Sequence, residues 1–184
     1  TANTLFSAGI HPWQLTDDNL PELQPELLLT VAHPHVVMIG EAGFDRMKGA
    51  GRETQEKAFM FQASVAAEMD RPMVIHCVKG WEDLLHAYRE VKPSRPWIIH
   101  GFRGGSSLAE SLAGEGFWFS LGSKGLNPEV LRTVSHERIL LETDDSGESI
   151  ADVYRLFESV AGYAPDQAER LIRNNFNSLL NYRL

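Results

Sequence analysis

Residues 73–81, MVIHCVKGW, run apolar side chains straight into His76 and then break at Lys79-Gly80 before a helical pattern begins. Residues 97–105, WIIHGFRGG, repeat the design with His100. Short, nearly continuous apolar runs of this kind read as strands buried on both faces, as a parallel sheet requires. The same form recurs in LFSAGI before His11, VVMIG before Glu41, FWFSLG at 117–122 and RILLET before Asp144.

Helical periodicity fills the intervals. Residues 53–69 place Phe59, Ala63, Ala66 and Ala67 on one stripe, and EDLLHAYREV does the same with Leu84, Leu85, Tyr88 and Val91. SSLAESLAGEG and NPEVLRTV are shorter, the second with Asn127 as N-cap and Pro128 at the first helical position. SIADVYRLFESVAG and PDQAERLIRNNFNSLL close the chain. Alternating strand and helix specifies an α/β protein with a parallel sheet, open or closed into a barrel. The polar residues stand at the ends of many strands rather than at one switch point, and no G-x-G-x-x-G or P-loop is present, which favours a TIM-type (β/α) barrel. Six strands are countable, so the barrel is expected to be short, lacking one or two first strands upstream of Thr1, within a single domain over residues 1–184.

Composition sets the class. At 184 residues, with 43% apolar and 23% charged, the chain suits an ordinary globular domain. It has no apolar run near membrane-spanning length and no signal or lipidation pattern. A single cysteine, Cys77, excludes an internal disulfide framework and suits a reducing, cytoplasmic compartment. The net charge of -8 argues against a broad basic groove for duplex nucleic acid, although bound cations would reverse the local sign.

Parallel strands bring their C-terminal ends to one mouth, and there the sequence offers His11, Glu41, Asp45, His76, His100 and Asp144. Imidazoles and carboxylates from separate strands are donors for Zn, Mn, Ni or Fe. Such a site activates water for attack on an ester, amide or phosphoryl centre, without a covalent intermediate. Nucleophile motifs G-x-S-x-G and S-x-x-K are absent, and Cys77 is a weak case for thiol catalysis. His11, followed by Pro12, reads as turn-shaping or substrate-facing. The HPH run at 33–35 precedes its strand and belongs to the opposite mouth, while His86 and His136 read as non-catalytic. Glu142, alternating with Asp144, either faces the interior or supports a ligand.

GIHPW, VVMIGEAGFD, QEKAFMFQASVAAEMDRPMVIHC, WIIHGFRGG, FWFSLG, RILLETDDS and NNFNSLL stand in the order of the TatD family of metal-dependent hydrolases, which the chain resembles over nearly its whole length. The resemblance implies an amidohydrolase-like barrel with one or two divalent ions, Mg, Mn or Zn. It implies Glu41 as the carboxylate shared between ions, His76 and His100 as imidazoles on one of them, and Asp144 on the other as proton acceptor. Asp45 would support a ligand or face substrate.

The chain departs from the family in three places. It begins after the family's first-strand H-x-H, so one metal site is expected to lack two ligands. HGFRG stands where the family commonly has HCFSG, placing Arg103 near the mouth as a phosphate or carboxylate contact. Asp145-Ser146 replaces a common Ala-Pro, and the following loop is short. The implied activity is a deoxyribonuclease acting on DNA ends or single strands, with Arg103, Asp45, His11 and Lys79 toward the substrate and no obligate protein partner. A hydrolase of a small ester, amide or lactone, and a degenerate barrel without catalysis, are the competing readings.

Overall fold

The strands form where the apolar runs predict them. In the computed structural model, which describes residues 4–180, β1 (Phe6–Ala8), β2 (Val36–Asp45) and β3 (Met73–Val78) pair in parallel. They lie in the first of two compact units, which ends at Trp97; the second begins at Ile98. Strand β4 (Trp97–Ile99) begins at that boundary, and its second-unit residues run parallel to β5 (Trp118–Leu121), itself parallel to β6 (Ile139–Leu141), with Ile99 opposite Phe119 and Leu121 opposite Leu141.

Helices separate the strands. The first unit carries α1 (Leu20–Val31), α2 (Arg52–Glu68) and α3 (Trp81–Val91); the second carries α4 (Ser106–Glu115), α5 (Pro128–Thr133), α6 (Ile150–Ala161) and α7 (Pro165–Leu180). The expected cap of α5 is present: the Asn127 side chain accepts from the Glu129 N–H, with Pro128 leading the helix. Helix α1 escapes the apolar pattern because Pro21 and Pro25 interrupt LPELQPELLLTV. Pro21 falls in the first turn, where a missing N–H costs little, and Leu27 and Val31 anchor the rest. On α2, Ala67 lies on the exposed side, and the buried stripe instead takes in Gln55, Ala58 and Gln62.

The strands ending at Glu41 and His76 in the sequence reading are longer in the structure. Strand β2 continues past Glu41, pairing Ala42 with Ile75, Gly43 with His76 and Asp45 with Val78. Gly43 permits this, since a Cβ there would lie 1.8 Å from the His76 carbonyl oxygen. His76 therefore lies within the ladder opposite Gly43, and Glu41 sits at the register shift between Ile39 and Ala42, neither of them at a strand end.

Two buried glutamines on α2 tie the strand ends down. Gln62 accepts from the Ile10 N–H at 2.7 Å and donates to the Ile10 carbonyl at 3.1 Å, fixing the chain just after β1. Gln55 accepts from the Asp45 N–H at 2.8 Å and donates to the Asp45 carbonyl at 2.9 Å, and also to the Ala50 carbonyl. Irregular backbone at the end of a parallel strand has lost its ladder partners, and an amide side chain replaces both a donor and an acceptor. Phe59, between the glutamines, packs on Phe44 and Trp97 with ring centroids 4.8 and 5.1 Å apart.

In the second unit, Asn175 of α7 donates to the carbonyls of Ile139 and His136, both at 2.7 Å, so the NNFN stretch secures the start of β6. Among the described residues no helix is long and apolar enough to cross a membrane.

Gln62→Leu would keep the volume and strip both partners from Ile10. With Gln62 1% exposed, the expected loss is about 1–3 kcal/mol per unpaired buried group, read as a lower denaturation midpoint without a change in slope.

Candidate metal centre

In the first unit, side chains from β2, β3 and the turn after β1 come together. Donor atoms of His11, Glu41 and His76 lie within 4.8 Å of one another. His11 Nε2 is 3.4 Å from a Glu41 carboxylate oxygen, and the His11 and His76 rings are 4.5 Å apart. One carboxylate and two imidazoles fit a divalent cation of the Zn or Mn type.

Hydrogen bonds give the two imidazoles different parts. His76 Nε2 lies 3.2 Å from Asp45 Oδ2, so in the neutral ring Nε2 carries the proton and Nδ1 is the nitrogen with a lone pair. This is the carboxylate, imidazole, metal order by which proteins orient a ligating histidine. His11 is arranged in the opposite sense. Its Nδ1 accepts from the Trp13 N–H at 3.1 Å, capping a 3-10 turn over Pro12–Gln14, so its proton sits on Nε2 and points toward Glu41. A neutral ring has one lone pair, and here the turn uses it. His11 thus shapes the turn and presents an N–H, and ligation by it would cost the cap.

Asp45 is the centre of this arrangement. It is 4% exposed, and its two oxygens take the Trp13 indole N–H (2.6 Å), the Met47 N–H (2.7 Å), the Lys48 N–H (3.1 Å) and His76. Burial alone would raise its pKa, but the hydrogen bonds from Trp13, Met47 and His76 outweigh it and hold the carboxyl below the usual aspartate value. Both Asp45 oxygens are engaged, Oδ2 by Trp13 and His76 and Oδ1 by the Met47 and Lys48 N–H groups.

The second unit repeats the pairing. Gly101 N–H donates to Glu142 Oε1 at 2.6 Å, and the same oxygen is 3.9 Å from His100 Nδ1. Burial raises the Glu142 carboxyl above its ordinary value, with the Ser120 hydroxyl, His100 and Gly101 opposing that rise and Asp144 adding to it. Glu142 is thus an electrostatic neighbour of His100. Asp144 is exposed with a left-handed backbone (φ 47°), and it lines a small pocket with Arg103, Lys124, Glu142 and Phe102.

Lys79 is exposed at the turn between β3 and α3, its backbone also left-handed (φ 54°). Burial pushes the Cys77 thiol up to about 12, the Gly80 and Arg46 contacts pulling less strongly the other way, so no thiolate is available near neutral pH. His33 and His35 stay in the loop before β2, their rings 5.4 Å apart. His136 spends both nitrogens structurally, on the Tyr163 hydroxyl and the Leu131 carbonyl, each at 2.8 Å. The residue that sequence reasoning passed over is Trp13. Its only signal was a large aromatic beside a strand-end histidine in GIHPW.

The model of the TatD related DNase family matches residues 1–181. The chain belongs to this family. It is 31% identical over 155 residues to the 3'-5' ssDNA/RNA exonuclease TatD of Escherichia fergusonii, covering 75% of this chain and 56% of that protein. It is 27% identical over 173 residues to a Bacillus subtilis protein described as uncharacterized metal-dependent hydrolase YabD, covering 78% and 68%. This TatD-family chain therefore spans little more than half the length of the exonuclease relative. The crystal structure of the Escherichia coli TatD homologue YJJV superimposes with a TM-score of 0.81 at 23% identity, over 98% of this chain and 78% of that one. A TatD family hydrolase from Entamoeba histolytica gives 0.74 at 18%, over 91% and 73%. At such identity the likeness is one of fold, and it is the TIM-barrel α/β class expected from the strand pattern.

Asp45→Asn keeps the shape but turns one oxygen into a donor facing donors. It should destabilise the protein by about 1–3 kcal/mol at neutral pH. Because the folded pKa is lowered, wild-type Asp45 contributes its stability in full above the ordinary value of 3.8 and loses it as pH falls through the folded value. The gap between wild type and variant in urea titrations should therefore narrow on acidification below about pH 4.

Proposed function

We propose that this chain is a single hydrolase domain that uses divalent metal to cleave phosphodiester bonds in single-stranded DNA or RNA from an end, in the cytoplasm. The observation that carries the proposal is the Asp45–His76–Glu41 arrangement, an imidazole held by a buried carboxylate with a second carboxylate within 4.8 Å of it, in a chain of the TatD family. The name of the exonuclease relative supplies the substrate class.

In this proposal Glu41, His76, His100 and Asp144 hold one or two ions, with Mn, Mg or Zn as candidates. A bound divalent cation would supply the charge that makes a water acidic and a phosphoryl centre electrophilic. The chain's own residues do the rest. Asp144 takes the proton from the attacking water, as an exposed carboxylate beside a pocket is able to do. His11 keeps its Nε2–H on Glu41 and faces the substrate side of the turn, while Arg103 and Lys79 each serve as a phosphate contact. Asp45 and Glu142 keep His76 and His100 in orientation.

The test uses the full chain, stripped with chelator and reloaded with Mn, Mg or Zn, on end-labelled single-stranded DNA and RNA and on small esters. Metal-dependent loss of nucleotides from one end is the expected outcome, with Asp144→Asn lowering kcat by about 10²–10⁴-fold. Turnover of esters with intact nucleic acid would overturn the substrate, and metal-indifferent activity would overturn the site.

A further inference from the structure

We propose that Trp13 and Lys48 form a stacking platform for one nucleobase of the substrate, next to the His11–Glu41–His76 cluster; the proposal rests on the nucleic-acid reading above. Trp13 is 50% exposed, yet its indole is fixed. Its Nε1–H donates to buried Asp45 at 2.6 Å, and its ring meets those of His11 and His76 edge-on at 4.9 and 5.6 Å. A tryptophan serving the core would be covered, and one merely left at the surface would have no bond to a buried carboxylate. This one is anchored by its polar edge and displayed by its face.

The loop after β2 is built against the same turn. Gly49 (φ 92°) comes so close to Pro12 that a Cβ would stand 2.1 Å from the Pro12 carbonyl oxygen. The Lys48 N–H is held by Asp45 Oδ1, and the exposed Lys48 side chain lays its ammonium 3.7 Å from the centroid of the Trp13 ring. The indole face is thus covered by a single solvent-facing lysine. A cation–π contact at an exposed site is weak enough to be exchanged for a stacked base. The base takes the aromatic face, the ammonium moves to the phosphate beside it, and both halves of a nucleotide are satisfied by adjacent residues. On a chain of net charge -8, a lysine held at this spot adds local attraction for a polyanion.

Stacking on an indole tolerates any base and requires that the base be unpaired. The platform thus selects single-stranded over duplex substrate without reading sequence.

The test compares a short oligothymidylate with the same oligomer carrying abasic residues near the 3' end. Binding is measured by anisotropy in chelator, and cleavage with Mn, for wild type, Trp13→Leu, Trp13→Phe and Lys48→Met. Wild type should bind the base-bearing oligomer about tenfold or more tightly than the abasic one, the factor one stacked base confers. Trp13→Leu should abolish that preference, so that the two oligomers bind alike. Trp13→Phe, which loses the bond to Asp45 but keeps an aromatic face, should retain part of the preference. Lys48→Met should weaken both oligomers and reduce the salt dependence. Equal weakening of both oligomers by Trp13→Leu, or loss of the preference in Trp13→Phe as complete as in Trp13→Leu, would assign Trp13 to holding Asp45 and overturn the platform. Absence of cleavage with the binding preference intact would sink the hydrolase reading and leave the platform standing; absence of the preference with cleavage intact does the reverse.

Discussion

A carboxylate buried to 4% exposure is stable only when every lone pair is matched, and Asp45 meets that condition with an indole N–H, two backbone N–H groups and an imidazole. The donors come from three pieces of the first unit: the turn after β1, the loop after β2 and strand β3. Satisfying one charge therefore fixes the relative positions of His76, Trp13 and the Lys48 loop together. The metal-type cluster and the displayed indole are two consequences of the same constraint.

Asp45 is held in place from behind by α2. Gln55 takes its backbone N–H and carbonyl, while two turns along the helix Gln62 does the same for Ile10. The polar site at the strand ends is thus seated on a helix whose buried face mixes amide side chains with Phe59 and alanines. An apolar helix in that place would leave the non-ladder backbone of two strand ends without partners, at a cost comparable to the site's own hydrogen bonds.

The second unit uses the same chemistry more loosely. Glu142 stands 3.9 Å from His100, an ion-pair distance, and accepts its short hydrogen bond from the Gly101 N–H instead. Its raised pKa reflects burial that its neighbours offset only partly. Asp45 and Glu142 are both carboxylates behind strand-end histidines, yet one is held ionised and the other is eased toward its neutral form. The environment, not the residue type, sets that difference.

The sequence by itself determined the alternation of strand and helix, the parallel sheet, the family and the candidate donors, because hydrophobic periodicity and the residue at a strand end are local properties of the chain. It misjudged where local signals conflict: Pro21 and Pro25 hid α1, and Glu41 read as a strand end because β2 continues through glycine and alanine. What only the tertiary structure decided lies in contacts between distant residues. Trp13 meets Asp45 across 32 positions, Asp45 meets His76 across 31, Gln62 meets Ile10 across 52 and Glu142 meets Gly101 across 41. A histidine in the sequence is only a possible ligand. Which nitrogen holds the proton depends on the partner that folding brings to it, and so His76 turns its Nε2–H to Asp45 while His11 turns its own to Glu41.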